Sequence, residues 1–411
     1  MNAPVTERNL ALYPWYQAFS SALPWLPIFF LYFLEHLSFA DGITLGAIYY
    51  FSVFLLEVPS GYLSDRFGRK RTLVAATVMF ICAYVLFLAA DTFADFVVAQ
   101  VFIAAGIAFQ SGSDSALLID SLKALGRESE YARREARAHR FAMTALALSC
   151  VVGGALGTVN LSLPYVASML LSVVSFFLAI SFHEPTNAGL RAVGTVTHQL
   201  RQIGLLLKDR RLLWIMMFYV IAYSLQHIPY EFVQPYIKLL VADLSASIES
   251  IQASPWIAGI IIGSSMFGGA LAATISMQLY QKLGLVRLFL LGVLMQVLII
   301  AFLGLLLHPM ILLVVVFRNF AMSLTHAPML DALAPLVPDE QRATYLSAQS
   351  LFGRLSFALV LWALSLLSGG REELVWSELS RILDVSFYVG VALLIALALT
   401  ARMVRSDDSI R

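Results

Sequence analysis

Charge is scarce in this chain of 411 residues: 13% are Asp, Glu, Lys or Arg, against 60% apolar residues. A soluble domain cannot hide that much apolar surface, and a mean hydropathy of +0.81 makes lipid the expected solvent. Cysteine is nearly absent. Cys82 and Cys150 both fall inside apolar stretches, which excludes a disulfide framework and leaves them as small core residues. A net charge of +1 gives no pull toward nucleic acid or toward a strongly acidic or basic partner. No phosphate-cradling Gly-x-x-x-x-Gly-Lys-(Ser/Thr) run occurs, which argues against an ATP-driven pump. The region before the first apolar stretch, with Glu7 and Arg8, lacks a basic segment and a small-residue cleavage site, so no cleaved signal peptide is expected. His, Ser and Asp are scattered without catalytic spacing. A membrane-embedded hydrolase or lipid transferase is therefore disfavoured, and no metal or cofactor is expected.

What is present is a series of membrane-length apolar segments. The expected spans run over Tyr13–His36, Thr44–Tyr62, Thr72–Ala90, Ala94–Leu122, His139–Val159 and Pro164–Phe182. After a polar stretch they resume over Leu212–Val241, Ser254–Tyr280, Val286–Leu307, Pro309–Pro335, Thr344–Leu367 and Leu379–Met403. The fold class is thus an all-α integral membrane protein of twelve transmembrane helices. Residues 1–182 form one six-helix bundle, 183–211 a linker and 212–411 a second bundle. Arginine and lysine crowd one side: Arg66, Arg69, Lys70 and Arg71, the stretch from Lys123 to Arg140, and Arg191 to Arg211. Only Lys238, Arg371 and Arg381 lie opposite. The positive-inside rule puts both termini and the linker in the cytoplasm. The halves carry a faint repeat, in which Leu63, Arg66, Gly68 and Arg71 match Leu279, Lys282, Gly284 and Arg287. Asp120, Leu122, Leu125 and Glu128 likewise match Asp331, Leu333, Leu336 and Asp339.

The densest charge lies in Gly61-Tyr-Leu-Ser-Asp65-Arg66-Phe-Gly68-Arg69-Lys70-Arg71-Thr72, between two apolar spans. Each charge left in hydrocarbon would cost at least about 2.5 kcal/mol, so the stretch reads as a tight aqueous turn. Gly61 is expected to let one helix end approach a neighbour closely, and Gly68 to permit the backbone reversal. The stretch resembles the loop between the second and third helices of the major facilitator superfamily, Gly-x-Leu-x-Asp-Arg-x-Gly-Arg-(Arg/Lys), at every fixed position. Pro338-Asp339-Glu340-Gln341-Arg342 through Ser347 resembles the same superfamily before its eleventh helix. The superfamily's antiporter signature in the fifth helix, Gly-x-x-x-Gly-Pro-x-x-Gly-Gly, is met here by Ala145, Ser149, Cys150, Gly153 and Gly154. The proline and two glycines are missing, and the remaining glycines, with Gly157, permit close packing.

The resemblance implies a secondary transporter working by alternating access; a compact twelve-helix chain without long loops fits a bacterial cytoplasmic membrane, and a monomer is expected. The resemblance also implies a gating role for Gly61, Asp65, Arg66, Gly68, Arg69 and Lys70, and a central cavity lined by the first, fourth, seventh and tenth helices. Proton-coupled efflux of a drug-like compound or metabolite is the first expectation and proton-coupled uptake the second; a transporter-like sensor is a third class. Ionisable groups at membrane depth single out Asp114 for proton coupling, with Glu35 and Glu231 ranked rather as solvated residues at a mouth. Tyr219, Tyr223, Gln226 and Tyr230 share one helical face, with His227 one turn before Glu231. This is an aromatic, hydrogen-bonding wall for a small solute or else ordinary packing. Arg318, Asn319 and His326 are further cavity candidates, and Pro229 and Pro235 are expected to interrupt the seventh span. Glu57 and Arg354 are candidates for an ion pair between bundles, with pairing inside each bundle as the alternative.

Overall fold

The computed structural model describes residues 3–185, 196–244, 253–368 and 374–402. Among these there are helices and turns and no strand. The first half holds α1 (Ala3–Ser21), α2 (Phe29–His36), α3 (Phe39–Phe67), α4 (Arg69–Leu88), α5 (Phe93–Gln110), α6 (Ser113–Ala124), α7 (Tyr131–Val159) and α8 (Leu163–Ser181). The second holds α9 (Val196–Leu206), α10 (Arg210–Leu244), α11 (Ser254–Leu283), α12 (Leu285–Leu305), α13 (Pro309–Val315), α14 (Arg318–Leu333), α15 (Asp339–Leu367) and α16 (Trp376–Thr400). Eleven of the predicted spans are long and apolar enough to cross a bilayer, counting α5 with α6 and α13 with α14. The first is divided into α1 and α2.

Three predicted spans are therefore broken rather than continuous. The first breaks where Pro24 and Pro27 remove backbone donors within three residues of each other. The amides freed there are taken up by neighbouring helices: Leu23 N–H donates to Ser149 Oγ on α7 (2.9 Å), and Trp25 N–H to Ser168 Oγ on α8 (3.3 Å). Membrane-depth backbone tolerates irregularity only with such partners. The fourth span breaks at Ser111–Gly112, where Gly112 takes φ +74°, a left-handed conformation cheap only for glycine. The tenth breaks at Val316–Phe317, and the Val316 carbonyl lies against Gly268 of α11. Conversely α10 runs unbroken through Pro229 and Pro235, contrary to the sequence expectation. Each proline there removes a donor only from the carbonyl four residues earlier.

The turn after α3 is tighter than expected. Helix continues through Gly61 to Phe67, and the whole reversal falls on Gly68, at φ +97°. Gly284, its partner in the internal repeat, sits at φ +74° between α11 and α12, so the two turns are built alike. Gly61 does not mediate a close approach, since a Cβ there would meet nothing within 4 Å. The expected linker contains the helix α9.

The chain divides into two units that follow its halves except for two exchanged segments. Unit 1 is Met1–Leu37, Ile48–Val193 and Pro255–Gly263; unit 2 is Ser38–Ala47, Gly194–Ser254 and Ser264–Arg411. Within unit 1, Trp25 donates through Nε1 to Tyr84 Oη (2.9 Å), amid Phe29, Phe33, Phe87, Phe96 and Tyr165. The α7 glycines serve backbone contact as expected: Gly153 faces Pro24, and Gly154 faces Gly259 of the exchanged segment. Within unit 2, Trp214, Phe218 and Phe289 stack, and Trp214 Nε1 donates to the Leu397 carbonyl (3.1 Å). Cys82 and Cys150 form no disulfide among the described residues.

Candidate functional site

In unit 1 the polar groups converge at the break between α5 and α6. Asp114 lies in the first turn of α6, not two-thirds along one continuous helix. Its Oδ2 accepts from Gln17 Nε2 of α1 (2.8 Å), and its Oδ1 accepts from the Ser115 amide (2.7 Å). The same Gln17 nitrogen donates to Tyr13 Oη (2.8 Å), and the Tyr13 hydroxyl donates to Glu135 Oε2 on α7 (3.1 Å). One turn up, Gln110 Nε2 donates to Ser20 Oγ (3.1 Å). Tyr16 is fully buried, and its hydroxyl has no hydrogen-bond partner among the described residues. Every hydrogen bond on Asp114 thus comes from a neutral donor. Such a carboxyl is held in place without being committed to an ion pair, which leaves both protonation states accessible. Tyr13 and Glu135 were missed as members of the site, because Tyr13 reads as an ordinary interfacial tyrosine and Glu135 as one charge in an arginine-rich run.

In unit 2 the predicted face of α10 is real. Tyr219, Tyr223, Gln226, His227 and Tyr230 are each partly open, whereas Phe218, Ala222, Leu225 and Ile228 between them are buried. The rings form a ladder: Tyr219 and Tyr223 lie 6.0 Å apart between centroids, Tyr223 and His227 4.1 Å, and His227 and Tyr230 6.1 Å. Gly353 of α15 backs the first two, because a Cβ there would come within 3.0 Å of the Tyr223 ring. Arg318, buried at the start of α14, sits over the Tyr230 ring at 4.9 Å. Gln226 Nε2 donates to Asn319 Oδ1 (3.1 Å), and Asn319 Nδ2 donates to Ser265 Oγ (3.1 Å). His326 lies further along α14 and is exposed. Glu231 departs from expectation. It is 2% exposed rather than a solvated mouth residue, because its carboxylate fills the notch left by Gly46, beside Leu361. Glu35 is exposed at the end of α2, as a mouth residue would be.

At the charged turn, Arg69 pairs with Asp120 of α6 (3.6 Å) and donates to Ser64 Oγ (2.9 Å). The Arg69 and Lys70 amides, exposed at the start of α4, both donate to the Glu184 carboxylate (2.7 and 2.9 Å), which nests against Gly68. Sequence reasoning missed Glu184, since nothing in its surroundings marks a cap 115 residues away. Arg66 is exposed, near Tyr62 Oη and the Phe67 ring. The side chain of Asp65 lies outside the described residues. Glu57 on α3 belongs to unit 1 and Arg354 on α15 to unit 2, each partly buried. Arg127, held by Glu7 (3.0 Å) and Glu130 (2.6 Å), has its guanidinium pushed further above the ordinary arginine range by Glu130. Among the described residues no group of three or more His, Cys, Asp or Glu is placed to hold a metal ion.

A set of apolar helices long enough to cross a bilayer, some broken where polar groups gather, is the architecture of a polytopic membrane protein. The chain matches the family model of the Major Facilitator Superfamily over residues 15–361, and it belongs to that family. Solved structures share the fold at low identity. The nucleoside transporter NupG aligns with a TM-score of 0.75 and 14% identity over 97% of this chain and 99% of that one. A bacterial homologue of the human lysosomal transporter Spinster, inward-facing and unoccupied, aligns at 0.70 and 15% over 98% and 97%. The peptide transporter POT in complex with sulfate aligns at 0.65 and 15% over 98% and 95%. Among curated protein sequences none matches. The protein is thus a multi-pass secondary transporter moving a small solute by alternating access, with the twelve-helix, two-bundle fold of its family.

Proposed function

We propose that the protein takes up a small polar organic solute by proton symport, with Asp114 as the carboxylate that carries the proton. The carrying observation is Asp114 itself, a carboxyl at a helix break bonded by Gln17 and Ser115 alone, with no cation fixing its charge among the described residues. Glu231, more deeply buried but without that donor set, is the second candidate; Glu35, being exposed, is not retained. Uptake replaces efflux as the preferred direction for two reasons. The fifth span lacks the proline and two glycines of the antiporter signature. The α10 face joins stacked rings to an amide pair, Gln226 and Asn319, which suits a polar ring-bearing solute better than a purely apolar drug. Nucleosides and peptides, with dipeptides as the simplest probe, are the first solutes to test, because a nucleoside transporter and a peptide transporter share the fold. The arginine and lysine asymmetry supports cytoplasmic termini in a bacterial cytoplasmic membrane, and the working unit is taken to be the monomer.

The test is accumulation of labelled nucleosides and dipeptides in proteoliposomes under an inward proton gradient. Accumulation that a protonophore collapses, and that Asp114→Asn abolishes while solute exchange without net proton movement continues, is the expected result. Accumulation indifferent to the gradient would refute proton coupling. Solute driven outward against an inward proton gradient would restore efflux.

A further inference from the structure

The stretch between α6 and α7 carries three glutamates, and the structure treats them differently. Glu128 is exposed. Glu130 is gripped by Arg127 (2.6 Å) and Arg134 (2.8 Å). Glu135 turns from its exposed neighbours, Arg133, Ala136, Arg137 and His139, into the bundle, where it accepts from the Tyr13 hydroxyl. It makes no ion pair with an arginine among the described residues. A carboxylate that leaves an arginine-rich surface to meet a tyrosine 98% buried is poorly explained by solvation or by surface pairing.

The chain of contacts continues without a gap. Tyr13 accepts from Gln17 Nε2, and that nitrogen also donates to Asp114 Oδ2, so both amide protons of Gln17 are used and the side chain is pinned between the two residues. Three hydrogen bonds, through two buried side chains, link a carboxyl at the helix break to a carboxyl at the arginine-lined end of α7. The other titratable groups acting on the pair are Tyr13 and Tyr16 from α1, and Tyr131 and His139 from α7. On α6 the next carboxylate, Asp120, is taken by Arg69 of α4. The one titratable residue of α8, Tyr165, belongs to the aromatic cluster around Trp25. Two carboxyls coupled in this way titrate in two steps that belong to the pair rather than to either residue alone.

We propose that Glu135 is a second proton-binding carboxylate of the transport cycle, coupled to Asp114 through Gln17 and Tyr13, and that the proton leaves Asp114 by way of Glu135. This rests on the reading of Asp114 as the proton carrier. The net step moves one proton from Asp114 Oδ2 to Glu135 Oε2. Tyr13 passes its hydroxyl proton to Glu135 and regains one from a water molecule that takes the place of the Gln17 amide when that amide rotates aside; the water in turn receives the Asp114 proton, and no other bond changes. Glu135 is thereby a binding group for the proton, and Gln17 and Tyr13 are positioning residues.

Infrared titration of the purified full-length protein tests this with protons alone as the ligand. The Asp114 carboxyl band is identified by its loss in Asp114→Asn, and the Glu135 band by its loss in Glu135→Gln. In the wild-type protein the Asp114 band is expected to titrate in two steps. In Glu135→Gln it collapses to a single step whose midpoint is displaced by about 1 pH unit. Tyr13→Phe, which keeps the ring and removes only the hydroxyl, is expected to shift the Glu135 band without unfolding the protein. A wild-type Asp114 band with one step, unchanged in both variants, would overturn the role of Glu135 while leaving proton carriage at Asp114 standing. An Asp114 band that titrates nowhere would overturn both.

Discussion

Gly153→Ala is expected to be among the most disruptive single-methyl additions in this protein. The added Cβ would fall well inside contact distance of the Pro24 carbonyl oxygen, and would lie 2.6 Å from its carbon and 2.8 Å from its Cα. All three are backbone atoms, so no flexible side chain can swing away. Pro24 has to retreat by about 1 Å for carbon atoms to regain their normal separation of about 3.5–4.0 Å. Overpacking of this kind costs about 1–3 kcal/mol. The retreat also pulls Leu23 and Trp25 from Ser149 and Ser168, and an amide stripped of its partner at membrane depth adds about 1–3 kcal/mol. A total loss of about 2–6 kcal/mol follows, read as a lowered apparent Tm of the purified protein. The internal control is Gly61→Ala. That glycine is mid-helix with nothing within 4 Å of a Cβ, so alanine should stabilise by about 0.5–1 kcal/mol. Equal apparent Tm for Gly153→Ala and wild type would refute the account of the first-span break. A destabilised Gly61→Ala would restore the close-approach role expected of Gly61 from the sequence.

Glu184→Ala removes the cap from the Arg69 and Lys70 amides and should cost about 1–2 kcal/mol of thermal stability; an unchanged apparent Tm would show that water serves those amides equally well. Glu231→Gln should leave the apparent Tm unchanged or raise it, because a buried carboxylate without a hydrogen-bond partner among the described residues gives way to a neutral group of the same shape. A fall of more than about 1 kcal/mol would mean that the charge itself is held by the fold. Arg127→Ala should leave stability unchanged in a thermal shift assay, since its pairs with Glu7 and Glu130 are surface pairs screened by solvent; a clear loss would make them part of a larger ordered network.

Much of this was legible in the residues. Hydrophobic length gives the spans, since a bilayer demands about 20 apolar residues per helix. The repeat of Gly68 at Gly284 appears in structure as two positive-φ turns, because only glycine makes that reversal cheaply. The face through Tyr219, Tyr223, Gln226 and Tyr230 follows from helical periodicity, and α10 presents it as one partly open row. Asp114 stood out because a carboxylate inside an apolar span requires a reason. Its partners did not stand out. Gln17, Tyr13 and Glu135 come from three separate stretches, and nothing local to any of them signals the others. Glu184 was hidden likewise: a cap formed across 115 residues leaves no periodic trace.

The helix breaks were least legible of all, and the prolines show why. Pro24 with Pro27 and Pro229 with Pro235 look alike as sequence, each a pair inside an apolar run, yet the first pair ends a helix and the second does not. Proline removes a donor in both places, and that loss alone does not decide the outcome. What differs is what surrounds the chain. At the first break two serine hydroxyls, on α7 and α8, accept the amides that leaving the helix exposes, and Gly153 makes room for the Pro24 carbonyl. At the tenth-span break there is no proline at all, yet Gly268 again receives a backbone carbonyl, that of Val316. In a membrane a helix stops where a neighbour can satisfy the backbone it abandons, so a break is a property of the receiving helix as much as of the broken one. Ser149, Ser168 and Gly153 therefore belong to the architecture of the first span. Replacing Ser149 and Ser168 together by alanine should weaken that break with Pro24 and Pro27 left in place, read as faster hydrogen exchange at Leu23 and Trp25. Unchanged exchange at both amides would return the break to the prolines alone.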